Sequence, residues 1–151
     1  MNRIASAVRG SAMEIDTSTD FGARVARHLE DDRIVWLATV DPDGTPQPSP
    51  VWFLWDGDTA LIYSQAMTPK LRNIEQRPRV SLHFNCTPSG IDVVVLTGGA
   101  SVDTGAPPVN ANPAYLDKYA DGISNIGMTP EAFAQAYSVP IRIRPTSLRG
   151  H

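Results

Sequence analysis

A mainly antiparallel β fold, closing wholly or partly into a barrel with a few short helices attached, is what this sequence predicts. Three observations predict it. β-favouring runs recur at short spacing, strong turn chemistry separates them, and a glycine pair interrupts the longest run. The 151 residues, 42% apolar and 19% charged, suit one domain with a sizeable core.

Residues 1–16 (MNRIASAVRGSAMEID) show no clean periodicity and are expected to form a flexible arm, mobile or contacting a partner. Residues 17–151 are expected to form the folded domain. "TSTDFGARVARHLEDD" (17–32) turns helical: Thr17, Ser18 and Thr19 are candidate N-caps, and Phe21, Val25 and Leu29 recur on one face. That face should lie against a sheet. "RIVWLATV" (33–40) carries apolar residues on both faces, as in a strand buried on both sides. "DPDG" (41–44) is turn chemistry, and "TPQPSPVWFLW" (45–55) reads as the second strand of a hairpin.

"DGD" (56–58) marks a reversal into a strand at 59–65. A short helix over 69–76 follows, then "RVSLHFN" (79–85), where Val80, Leu82 and Phe84 alternate with Ser81, His83 and Asn85. "IDVVVLTGGASVDT" (91–104) is a long strand in which Gly98-Gly99 predicts a bulge or bend. After a Pro/Gly loop at 105–112, Asn112 and Thr129 cap two short helices, each with proline at its first position. "VPIRIRPTSLRG" returns as the last strand.

Composition narrows the function. A formal charge of −3 supplies no attraction for nucleic acid or an anionic membrane. The lone Cys86 cannot form an internal disulfide. No apolar run approaches a membrane span and no secretion signal is recognisable, so a cytoplasmic location is expected. Pro46, Pro48 and Pro50 share one parity, which removes a row of amide donors. Such a strand is a sheet edge, blunted against aggregation or used as a bed for another molecule.

The stretch "SQAMTPKLRNI" (64–74) carries one of only two lysines, against eleven arginines. Thr68 can cap the first turn, Pro69 fits its first position, and Leu71 with Ile74 forms the buried side. The helix opening leaves unpaired N–H groups and the positive end of the dipole. With the Lys70 ammonium and the hydroxyls of Ser64 and Thr68, it makes a phosphate site. The plainer alternative is a solvated lysine on a well-capped helix.

"VWLATVDPDGTPQPSPVWF", "LIYSQAMTPKLRNIEQRPRVSLHF" and the closing "VPIRIRPTSLRG" together resemble the pyridoxamine 5'-phosphate oxidase-like (FMN-binding) split β-barrel superfamily. Within it the chain is most similar to the B-type flavin/deazaflavin oxidoreductases, small actinobacterial proteins that use coenzyme F-420. The resemblance implies a homodimer with cofactor between the subunits. Its phosphate would lie near Ser64, Gln65, Ala66, Thr68 and Lys70, with Arg72 and Asn73 close behind. Its ring system would lie along Pro48, Ser49, Pro50, Val51 and Trp52. The superfamily's oxidases carry an Arg-Lys pair at the phosphate, whereas this chain has Pro69-Lys70, which favours F-420 over flavin mononucleotide (FMN). The implied activity is hydride transfer from reduced F-420 to a small unsaturated or quinone-like acceptor. An FMN-dependent reductase or oxidase, or a non-catalytic flavin- or haem-binding protein, are the alternatives.

No general acid stands out. Tyr63 is conceivable, but a tyrosine in a strand is more often core. His83 has no companion at metal-ligand spacing, and Cys86 has neither a CxxC partner nor an adjacent histidine. The carboxylates at 31–32 and at 41 and 43 fall at a helix end and a turn. Gly98-Gly99 lacks the GxGxxG context of a dinucleotide site.

Overall fold

In the computed structural model, which describes residues 13–151, Thr19 is the residue that starts the first helix, α1 (Asp20–Asp31). Its Oγ1 accepts from Gly22 N–H at 2.9 Å, and Val25 and Leu29 on the inner face are buried. Of the expected arm, residues 1–12 lie outside the described residues. Met13 and Ile15 pack partly buried against the core.

The elements that follow are β1 (Val35–Val40), β2 (Pro46–Val51), β3 (Leu54–Trp55), β4 (Ala60–Ser64), α2 (Pro69–Gln76), β5 (Arg79–His83) and β6 (Val94–Val102). A single 3-10 turn (Val109–Ala111) then leads to α3 (Pro113–Asn125), α4 (Pro130–Ala136) and β7 (Val139–Gly150). The strands form one antiparallel sheet in the order β2-β1-β5-β6-β7-β4-β3.

The expected single strand over 45–55 is broken. β2 and β3 lie on opposite edges of the sheet, although only Trp52 and Phe53 separate them. A flat sheet of seven strands would hold its edges about 29 Å apart, at about 4.8 Å per spacing. The three steps from Val51 to Leu54 span at most about 10 Å. The sheet must therefore curl until its edges meet, and the fold is a split β-barrel whose seam is crossed by Trp52 and Phe53.

β1 is also corrected. Val35, Leu37 and Thr39 face the interior, but Trp36, Ala38 and Val40 are only half-buried, because they share the outer face with Pro46, Pro48 and Pro50. β2 is an edge strand, and its ladder to β1 runs through six consecutive pairs. That ladder tolerates the prolines only where their ring nitrogens face away from β1, so the outer rim of β2 carries no N–H at those positions. On β5, Val80 and Leu82 face inward and Ser81 and His83 outward, the alternation expected. The glycine bend also appears: register shifts between Thr97 and Gly98, and a Cβ on Gly98 would meet the Arg144 carbonyl oxygen at 2.1 Å.

Two apolar cores result. The barrel interior gathers Val25, Leu29, Leu37, Phe53, Ile62, Leu82, Leu96 and Ile141. A second cluster lies under α3 and α4 and takes in Leu61, Tyr63, Tyr115, Tyr119, Ile123 and Phe133. β4 divides them, which is why all five of its residues are buried.

Candidate functional site

α2 forms where the sequence predicts it. Thr68 Oγ1 accepts from Leu71 N–H at 3.4 Å, Pro69 occupies the first turn, and Leu71 and Ile74 are buried. The preceding turn puts Met67 in the left-handed region (φ 63°), with its side chain exposed. Arg72 reaches back across this turn and donates to Met67 O at 3.0 Å.

Lys70 is half-buried, and burial lowers its pKa. Among the described residues no carboxylate lies within ion-pair distance of it. A half-buried cation with no internal counter-charge favours an anion brought from outside. Lys70 and Thr68 together border two hollows. One is a groove of about 1010 Å³ between α2 and the β1–β2 hairpin, lined also by Pro48, Ser49, Arg72 and Asn73. The other, about 470 Å³, runs under the barrel seam and is lined by Pro50, Val51, Trp52, Ser64 and Gln65. Of the residues expected at the site, only Ala66 lines neither; it is exposed on the turn.

Proximity does not give every residue the same freedom. Asn73 is turned inward, donating to Thr39 Oγ1 at 3.0 Å, so it ties α2 to β1. The Ser64 hydroxyl is buried, donates to Gln65 O at 2.8 Å and lies 3.2 Å from Thr68 Oγ1. Its single proton is thus committed inside the turn. The Thr68 hydroxyl in turn points its proton at Ser64 Oγ and accepts from Leu71 N–H, and Arg72 N–H donates to Thr68 O. The Lys70 ammonium and the Lys70 N–H remain as donors toward the hollows.

The sequence reading missed the far wall of the second hollow, which is aromatic and helical: Tyr115, Phe133 and Tyr137 with Ile126. Trp52 is the centre of a stack. Its ring lies 4.6 Å from Tyr119 at 3° and 5.5 Å from Phe133 at 12°, and Phe133 lies 4.4 Å from Tyr137 at 17°. The spacing of Tyr115 with Tyr119, and of Phe133 with Tyr137, four apart on helices, was the available signal.

α3 also holds the seam. The Tyr119 hydroxyl accepts from Phe53 N–H (2.9 Å), and the carbonyl oxygens of Arg33 (2.7 Å) and Phe53 (3.0 Å) lie within reach of its proton. Lys118 donates to Phe53 O at 3.0 Å, with Nζ 3.8 Å from the Phe53 ring centre. Burial pushes Lys118 down to about 8 and Tyr119 up to about 12.

Tyr63 is a structural tie. Its hydroxyl donates to Pro107 O (2.6 Å) and accepts from Asn112 Nδ2 (3.0 Å), and burial raises its pKa. His83 stacks on Trp36 on the outer face, with ring centres 6.1 Å apart at 3°. Cys86 is exposed. Among the described residues no group of three or more His, Cys, Asp or Glu side chains could hold a metal ion.

Residues 21–145 match the family model described as pyridoxamine 5'-phosphate oxidase. Among solved structures, an F-420 reductase is 29% identical, with 80% of this chain and 92% of that one covered and a TM-score of 0.61. A conserved hypothetical protein of Mycobacterium tuberculosis matches at 22% identity over 84% of this chain and 81% of its own, TM-score 0.63. The haem-storage protein HutZ of Vibrio cholerae matches at 17% identity over 91% and 95%, TM-score 0.58. The last two likenesses concern the fold alone. Among curated proteins, none matches the sequence.

Proposed function

Since the chain belongs to the pyridoxamine 5'-phosphate oxidase family of split barrels, we propose that it is a cytoplasmic, homodimeric oxidoreductase that uses reduced coenzyme F-420. The observation that carries this reading is Lys70: a half-buried amine without an internal carboxylate partner, at the mouth of α2 and on the rim of both hollows. These residues fit a phosphate-bearing cofactor, because the uncompensated ammonium and the N–H of Lys70, at the positive end of α2, supply charge and a donor together. Lys70, Thr68 and the opening of α2 would hold the phosphate, with Arg72 adding charge nearby. Pro48, Ser49, Pro50, Val51 and Trp52 would carry the ring system, the outer rim of β2 offering flat rings where amides are missing.

A bound reduced deazaflavin supplies a hydride for a small unsaturated or quinone-like acceptor. The protein's part is to position and to exclude water. Trp52, Tyr115 and Phe133 keep one side of the second hollow apolar, and Lys70 keeps a positive charge beside it. The choice of F-420 over FMN is supported by Pro69 standing where the superfamily's oxidases carry arginine, and by the likeness to an F-420 reductase.

Titration of the purified protein with F-420, FMN and haem in parallel tests this reading. Quenching of deazaflavin fluorescence at micromolar protein, with weaker binding of FMN, is the expected result. Tight yellow FMN binding without F-420 binding would assign the flavin alternative. A Soret shift with haem alone, lost in His83→Ala, would assign the non-catalytic one.

A further inference from the structure

We propose that Lys118 is a second reactive site, whose amine condenses with a small apolar aldehyde seated in a third hollow, between α1, β3 and α3. The product is an iminium on the side chain. This hollow, of about 420 Å³, shares no lining residue with the two that Lys70 borders, so the site is independent of the cofactor.

The hollow has an apolar floor and an acidic rim. Leu29 of α1 is buried in its wall, Leu54 and Trp55 of β3 are half-buried, and Ala114 lies exposed on the first turn of α3. Glu30 and Asp117 are exposed at its edge. Lys118 lines the same space and is half-buried. An ammonium has three N–H groups to place. Among the described residues Lys118 makes one hydrogen bond, to Phe53 O, and no ion pair. Two rings lie beside it, with Nζ 3.8 Å from the centre of Phe53 and 5.4 Å from that of Tyr119.

Such surroundings suit an iminium better than the ammonium it replaces. An ammonium is a compact, strongly hydrated charge, and half of its water is lost here. An iminium spreads its charge over nitrogen and carbon and keeps one N–H, the number that Phe53 O takes up. It is still a cation, so the ring faces and the carboxylates of Glu30, Asp31 and Asp32 continue to attract it. Acylation would leave a neutral amide and forfeit both attractions, and a carbamate would turn them into repulsion. The charges therefore select an aldehyde, and the acidic rim selects against one that carries a carboxylate. Burial pushes the Lys118 amine down to about 8, with Arg33 adding to the push and Glu30, Asp32 and Asp31 opposing it. It gives up its proton far more readily than an ordinary lysine at about 10.4.

In the step itself, the Nζ lone pair attacks the carbonyl carbon, the N–C bond forms, and the C–O bond breaks as water leaves. Amine, aldehyde and one proton give iminium and one water, so nothing is oxidised or reduced.

Reductive trapping with butanal and cyanoborohydride tests this, on the full chain at pH 7 with no cofactor present. The chain has two lysines, so peptide mass mapping reads each against the other. Lys118 is expected to take the butyl group at least about tenfold faster than Lys70, as a desolvated amine beside an apolar pocket should. In urea that preference should vanish. Glyoxylate, an anionic aldehyde, should be disfavoured against butanal about tenfold more strongly at Lys118 than on free Nα-acetyllysine. Ala114→Trp, at an exposed position that does not threaten folding, should slow butyl labelling of Lys118 about tenfold by filling the hollow, with Lys70 unaffected. Loss of F-420 binding in a protein that still shows this pattern sinks the cofactor reading and leaves the Lys118 site standing. Labelling of Lys118 no faster than Lys70, equal labelling in wild type and Ala114→Trp, or a butanal preference no greater than that of acetyllysine overturns the proposal.

Discussion

The chain's two lysines occupy contrasting places. Lys118 sits among partners: a carbonyl oxygen at 3.0 Å, the Phe53 ring under its ammonium, and the Tyr119 ring 5.4 Å away. Lys70 has comparable cover but no carboxylate beside it, and two hollows in front of it. Both lose water on folding, and both have their pKa lowered by burial. Only Lys118 recovers an internal partner. The difference teaches that a half-buried charge is read by what faces it: the Lys118 region completes the fold, and the Lys70 region faces open hollows, where we propose a ligand completes it.

If that contrast holds, variants on the α3–α4 side should be read in stability and variants at α2 in binding. Phe133→Ala is the largest expected effect. It opens a cavity in the second core and removes one side of the Trp52 stack, at a cost of about 3–5 kcal/mol measured by urea unfolding. Tyr119→Phe comes next. It leaves the buried N–H of Phe53 without an acceptor and should cost about 1–3 kcal/mol, with cofactor affinity little changed. A Tyr119→Phe variant with full stability but lost binding would reverse the assignment of the two regions.

The smallest effect is a slope. Lys118 has a folded pKa of about 8, while an ordinary lysine keeps its proton to about 10.4. Below pH 8 both states are charged and the folded chain bears the whole burial cost. Between the two values the unfolded chain binds more protons, so the cost fades and stability rises with pH. The melting temperature of wild type relative to Lys118→Met should therefore climb from pH 7 to about pH 9.5. A difference that stays flat across that window would show that the ammonium is fully compensated by Phe53 and the two rings.

Much of this was legible in the sequence for local reasons. Thr68-Pro69 starts α2 because cap and first turn lie within three residues of each other, and the alternation in β5 follows from strand geometry alone. The glycine bend in β6 was legible because it answers a close approach that no side chain could survive. The break at Trp52 and Phe53 was not, since it depends on two sheet edges meeting and on a hydroxyl from Tyr119, 66 residues away in sequence. The same holds for the aromatic wall. Helices inserted between β6 and β7 fold back over β4, and their tyrosines meet Trp52 only once the barrel has closed. Asn73 shows the converse: it lines the first groove as its place in sequence suggests, yet its side-chain amide bonds Thr39 in the interior.

The central claim is that the amine of Lys70 grips the cofactor's phosphate at the mouth of α2. Fluorescence titration of F-420 against wild type and Lys70→Ala tests it most directly, with melting temperatures recorded alongside. The account predicts a loss of about 1.5–3 kcal/mol in binding, the range for a hydrogen bond to a charged group. It also predicts a variant at least as stable as wild type, because an uncompensated buried charge has been removed. Equal dissociation constants for the two proteins would contradict it.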